Sequence, residues 1–125
     1  MRALFVDDEV EFLELMEKRL TRRGMEVVTA PDGQSALDLL DQALQSGETF
    51  HIVVMDVRMP GMDGLETLRH MKEKAPNLPV ILLTGHACMG VAVQGLDLGA
   101  YDYMLKPVAI SELIIKMEEA ARSAM

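Results

Sequence analysis

A doubly wound α/β domain with a parallel sheet is the fold class this sequence predicts, on three observations. Short apolar runs alternate five times with stretches of helical periodicity, the runs are continuous in hydrophobicity, and Gly or Pro marks most junctions. Strands buried on both faces read as continuous runs because neither face meets water. Right-handed crossovers then lay helices on both sides of the sheet, giving three layers.

The first strand is Ala3-Leu4-Phe5-Val6, which empties into Asp7-Asp8-Glu9. Residues 10–23 put Phe12, Leu13, Met16 and Leu20 on one helical face, and Gly24 stops that helix. Residues 25–29 form a short second strand. Pro31-Asp32-Gly33 turns the chain into a helix that sends Ala36, Leu37, Leu40 and Leu44 inward, with Asp32 as its cap and Gly47 at its end. A third strand runs through Ile52-Val53-Val54-Met55 and delivers Asp56 to its carboxyl end, just before a loop that includes Pro60-Gly61. Residues 64–74 carry Leu65, Leu68 and Met71 at helical spacing. Val80-Ile81-Leu82-Leu83 is a fourth strand and ends in Thr84-Gly85-His86. Residues 87–98 read as a weak helix, because Gly90 and Gly95 each cost about 1 kcal/mol relative to Ala in a helix interior. Residues 101–105 form the last strand, with Lys106-Pro107 at its end. A final helix over 111–122 buries Leu113, Ile114 and Met117.

The chain has 125 residues, enough for one core without staples, and residues 1–125 are expected to form a single domain with no repeat, linker or low-complexity tract. No apolar run approaches membrane-spanning length, and Met1-Arg2 leads straight into a strand rather than a secretion signal, so a cytoplasmic location is expected. Cys88 is the only cysteine, which excludes an internal disulfide and reads as a small hydrophobe. A net charge of -8 argues against direct binding of a nucleic-acid backbone. The 11 methionines are spread along the chain and read as core packing.

Four strand ends carry Asp7 and Asp8, Asp56, Thr84, and Lys106. In open α/β sheets the carboxyl rim is where ligands bind. Asp56 alone would also fit a turn, but a second strand that empties acids onto the same rim weakens that reading. Crowded carboxylates repel, and a hard divalent cation with oxygen ligands relieves them, which suits Mg²⁺ better than zinc. A carboxylate beside such a cation, a lysine and a hydroxyl is suited to attack phosphorus. The positive charges neutralise phosphoryl oxygens while Asp56 acts as nucleophile and Thr84 donates a hydrogen bond. Lys106 could instead pair with the acids only to hold the fold, which leaves Thr84 unexplained.

These residues bring the sequence to a known family. Phe5-Val6-Asp7-Asp8-Glu9, the segment from Val54-Met55-Asp56 to Asp63-Gly64, Leu83-Thr84-Gly85-His86, and the segment from Gly99-Ala100 to Leu105-Lys106-Pro107 together resemble the receiver domain of bacterial two-component response regulators. The resemblance covers essentially the whole chain. It implies a flavodoxin-like five-stranded sheet in the order 2-1-3-4-5 and a cis Lys106-Pro107 bond. It also implies that Asp56 accepts a phosphoryl group from a phosphohistidine on a sensor histidine kinase or phosphotransfer protein. Asp7 and Asp8 would hold Mg²⁺ with Asp56 and the main-chain carbonyl of Arg58. Thr84 and Lys106 would contact the phosphoryl group, and Tyr103 would be the aromatic switch. The result would be a signalling phosphoacceptor rather than an enzyme with an external substrate. It would act through a homodimer formed on activation or a covalently linked output domain.

Two departures concern the output face and not the acceptor chemistry. Ala109 stands where many relatives have a capping residue for the last helix, leaving Ser111 as the expected cap, and the helix after Thr84 carries its two glycines. An aspartate-nucleophile phosphohydrolase would want a second acid two residues beyond Asp56, where Arg58 stands. A receiver-like module that binds without phosphorylation would be expected to have lost a site residue, and none is missing. Arg58 and His86 each follow a site residue by two positions and are expected at the mouth where hydrolytic water enters.

Overall fold

The computed structural model describes residues 1–124. Five strands, β1 (Arg2–Val6), β2 (Glu26–Ala30), β3 (Ile52–Asp56), β4 (Val80–Thr84) and β5 (Asp102–Leu105), pair in parallel in the order β2-β1-β3-β4-β5. The helices are α1 (Val10–Thr21), α2 (Gly33–Ser46), α3 (Gly64–Lys74), α4 (Met89–Asp97) and α5 (Ile110–Ser123). This is the doubly wound flavodoxin-like arrangement that the patterning and the resemblance implied.

Alternation along each strand divides the core in two, because successive side chains leave opposite faces. Leu4, Val6, Val53, Met55, Val80 and Leu82 face α2, α3 and α4, meeting Leu37, Leu40, Leu68, Met71 and Ala92. Ala3, Phe5, Ile52, Val54, Ile81 and Leu83 face α1 and α5, meeting Leu13, Met16, Leu20, Leu113 and Met117. With both faces covered, β3 and β4 are buried at every residue, which is why their sequences carry no polar alternation. No helix among the described residues is long and apolar enough to cross a membrane.

Helix starts follow local chemistry. Asp32 caps α2 by accepting the Ser35 N–H at 2.7 Å, and Asp63 caps α3 by accepting the Glu66 N–H at 2.9 Å. Gly64 opens α3 directly against the chain after β3, where a Cβ would lie 2.6 Å from Val57 Cα. The Lys106-Pro107 peptide is cis.

Several expectations need correction. Ala109 is the N-cap of α5 and supplies no side-chain cap, while Ser111 lies within the helix and does not cap it. Leu44 is exposed and Ala43 is buried instead, since the buried stripe of α2 follows Ala36, Leu40 and Ala43 at i, i+4 and i+7. Ile114 is only partly buried, at the margin of the cluster under α5. The helix expected over 87–98 is a 3-10 turn at His86–Cys88 followed by α4, the break falling at Cys88 where φ is -115° and ψ is 15°. α1 ends at Thr21, β2 lies one residue later than expected, β5 begins at Asp102, and α5 begins at Ile110.

Gly90 and Gly95 are not equivalent. A Cβ on Gly90 would meet nothing within 4 Å, whereas one on Gly95 would collide with Leu82 Cδ1 in β4. Gly95 lets α4 approach the sheet, and only Gly90 is a plain concession in helix propensity.

Candidate functional site

The parallel sheet sends β1, β3, β4 and β5 to a common carboxyl rim, and each supplies one element of the site. Asp7 follows β1 and is held by its backbone, whose N–H donates to the Ala30 carbonyl at 3.1 Å. Its Oδ1 accepts the Glu9 N–H at 2.9 Å, leaving Oδ2 for the Lys106 ammonium at 2.7 Å. Asp56 closes β3, where Oδ1 accepts the Arg58 N–H at 3.2 Å and Oδ2 faces Lys106 Nζ at 3.5 Å. Lys106 is tied to the end of β4 through its N–H, which donates to the Thr84 carbonyl at 2.8 Å. Thr84 is fully buried and its hydroxyl donates to the Gly85 carbonyl at 3.0 Å.

Asp7, Asp8 and Asp56 each place one carboxylate oxygen so that all three lie within 4.8 Å of one another. Asp7 and Asp56 are buried, while Asp8 is exposed at the mouth. Three hard anionic oxygens this close, without nitrogen or sulfur donors, fit a magnesium-like cation and not zinc.

The electrostatics are those of acids drawn out of water around one cation. Burial pushes the Asp56 carboxyl above its ordinary range; the Arg58 N–H and Lys106 oppose this, and Asp7 reinforces it. For Lys106, burial disfavours the charge. The hydrogen bond to Asp7 and the fields of Asp56 and Asp7 outweigh that and hold its pKa above the usual lysine value.

Asp7, Asp8, Asp56, Thr84 and Lys106 are therefore brought together at the rim, and three further expected residues stand around them. Tyr103 is half-buried in the middle of β5, opposite Leu82, and packs into the core shared with α4. Arg58 and His86 are both exposed on the loops that leave Asp56 and Thr84. Sequence reasoning missed two partners of Lys106. Glu9 Oε1 lies 3.2 Å from its ammonium, and the Phe12 ring centroid lies 4.7 Å away. The signal was present, since Glu9 completes an acidic triplet and Phe12 follows it by one helical turn.

Comparison with known proteins agrees with this geometry. The family model described as the response regulator receiver domain matches residues 3–118. Over 118 residues the chain is 36% identical to the DNA-binding transcriptional regulator NtrC of Klebsiella pneumoniae, covering 94% of this chain and 24% of that protein. It is 38% identical over 122 residues to the response regulator MprA of Mycolicibacterium vanbaalenii, covering 98% of this chain and 51% of that one. Among solved structures, a response regulator receiver domain protein from Clostridium thermocellum superposes with a TM-score of 0.89 at 30% identity, covering 98% of this chain and 94% of that one. The chain belongs to the response regulator receiver family and is a receiver domain of two-component signalling, a class to whose phosphoacceptor role the site is suited. It spans about a quarter of NtrC and about half of MprA.

Proposed function

We propose that Asp56 is the phosphoacceptor. One Oδ attacks the phosphorus of a phosphohistidine on a sensor histidine kinase or phosphotransfer protein, the P–N bond breaks, and the electron pair leaves with the imidazole. The carrying observation is the cluster of Asp7, Asp8 and Asp56 at the carboxyl rim with a lysine against two of its members, Lys106 Nζ lying 2.7 Å from Asp7 and 3.5 Å from Asp56. Asp7, Asp8 and Asp56, with the main-chain carbonyl of Arg58, would hold Mg²⁺. When bound, it supplies positive charge to phosphoryl oxygens and relieves the repulsion among the acids. Lys106 neutralises a phosphoryl oxygen from the other side. Thr84 turns its hydroxyl from the Gly85 carbonyl to donate to the same group. The transfer is self-catalysed by these residues, and the domain has no external substrate to turn over.

The readout is a shift of population. Charge-assisted hydrogen bonds from Thr84 and Lys106 contribute about 1.5–3 kcal/mol each, and taking a two-state equilibrium from 1:99 to 99:1 needs about 5.5 kcal/mol. Two such bonds suffice only where the moving element is soft, which describes α4. Thr84, drawn toward the phosphoryl group, vacates space for Tyr103 to turn. The surface of α4, β5 and α5 then changes its fit to a second copy or to a linked output domain, in the cytoplasm.

The test is labelling by acetyl phosphate with Mg²⁺, read by intact mass. One phosphoryl group is expected, none in Asp56→Asn, and none in EDTA. Labelling of Asp56→Asn would overturn the assignment, and an unlabelled wild type would favour a module that works without phosphorylation.

A further inference from the structure

The Lys106 ammonium has three donors, and all three are taken by carboxylates in order of distance: Asp7 at 2.7 Å, Glu9 at 3.2 Å and Asp56 at 3.5 Å. The residue it is supposed to serve is therefore its most distant partner. Glu9 and the Phe12 ring, 4.7 Å from the ammonium, both lie on the α1 side. We propose that Glu9 and Phe12 are positioning residues that hold Lys106 toward α1 in the unphosphorylated domain and so set how readily Asp56 is phosphorylated. The proposal rests on the reading of Asp56 as acceptor.

Glu9 occupies the N-cap of α1, where Ser, Thr, Asp or Asn would be favoured. Its backbone is already committed, the N–H to Asp7 Oδ1 and the carbonyl to the Leu13 N–H, and its side chain makes no cap bond. The longer glutamate side chain reaches Lys106 instead. With 66% of that side chain exposed, no packing fixes the carboxylate, and among the described residues the lysine is its one ionic partner. Phe12, one turn along the same helix, offers its ring to the same cation. The two residues thus form a perch built by the first turn of α1. A phosphoryl group on Asp56 must draw the ammonium off that perch.

The experiment times acetyl phosphate labelling of the full chain at saturating Mg²⁺. Glu9→Gln is expected to label about two- to fivefold faster, the size of effect an exposed ion pair carries. In a Lys106→Met background Glu9→Gln should change nothing. Equal acceleration in both backgrounds would mean that Glu9 merely repels the anionic donor, and it would overturn the proposal, as would an unchanged rate in the single variant. A second readout needs no donor. With isotope-labelled lysine, the Lys106 side-chain resonance should move in Glu9→Gln through loss of the ion pair and in Phe12→Leu through loss of the ring current. This resonance decides the matter where the Lys106→Met protein labels too slowly to time, and its failure to move in either variant overturns the proposal. Labelling of Asp56→Asn is a separate failure, that of the acceptor reading itself.

Discussion

β3 and β5 belong to one sheet and each hands a side chain to the same rim, yet they are built differently. β3 lies between β1 and β4 and is buried at all five residues, whereas β5 pairs with β4 alone and is half-buried at all four of its residues. The helix beside β5 repeats the contrast. α4 buries only Ala92 and Gly95 and leaves Val91, Val93 and Leu96 exposed, while the flanking α3 buries Leu68 and Met71 completely. Local stability follows buried apolar contact, so the acids hang from the part of the molecule that opens last, and Tyr103 and α4 sit in the part that opens first. A site that must hold three carboxylates in register needs the first kind of scaffold. A surface that takes two shapes at modest energy, as proposed above for α4 and β5, needs the second.

The largest expected effect tests the contrast directly. Leu82→Ala, in the centre of β4, should cost about 2–5 kcal/mol, and Val93→Ala, on the exposed side of α4, less than about 0.5 kcal/mol. Urea midpoints measure both. Comparable losses would mean that the flank is as tightly packed as the centre.

The same contrast governs how much was legible in the sequence. Strands in the centre have no polar face, so Ile52 to Met55 and Val80 to Leu83 could be read as buried without knowing their neighbours, and the rim residues followed from where those runs stop. At the flank and at helix ends, neighbours decide. Leu44 and Ala43 both continue the apolar spacing of α2, and which of them turns inward depends on how the helix is set on the sheet, a tertiary fact. The cap of α5 went to Ala109 because the chain after Pro107 is already extended there, a matter of backbone path rather than side-chain preference. The triplet Asp7-Asp8-Glu9 marks Glu9 as a third acid at the rim, but its pairing with Lys106 joins residues 97 positions apart and depends on β1 and β5 ending at the same edge.

Gly95 comes next in size. Its Cβ would strike Leu82 Cδ1, which is itself fully buried, so Gly95→Ala should cost about 1–3 kcal/mol of overpacking despite the gain in helix propensity. The loss should shrink in a Leu82→Val background, where the obstructing methyl has room to withdraw. A Gly95→Ala protein as stable as wild type would show that α4 can ride away from β4 freely.

A further effect carries a pH signature from the rim. Burial raises the Asp56 pKa above its ordinary 3.8, so the folded state holds this proton more tightly than the unfolded chain does. Stability of the wild type is therefore lost as pH rises from the unfolded value through the folded one. Asp56→Asn removes this loss. In EDTA the variant should melt above wild type at neutral pH, and the difference should close as pH falls to about 3.8 and below. A difference independent of pH would assign the change to packing and not to the charge.

The smallest effect is the most informative about the flank. Gly90 is exposed near the start of α4 and a Cβ there meets nothing, so Gly90→Ala gains helix propensity with no clash and should stabilise the domain by about 0.5–1 kcal/mol. The gain should be local: amides of α4 should exchange more slowly while those of β3 and β4 are unchanged. If softness of α4 is what lets two hydrogen bonds at Asp56 reset the surface, this substitution raises the energy of the second shape as well. Hydrogen exchange with and without a beryllofluoride mimic at Asp56 should then show a change over residues 87–98 and around Tyr103 in wild type. That change should be smaller in Gly90→Ala and absent in Thr84→Ala. An undiminished response in Gly90→Ala would mean that α4 moves as a rigid body on β4, and the hinge would then lie in the 3-10 turn at His86–Cys88 rather than within the helix.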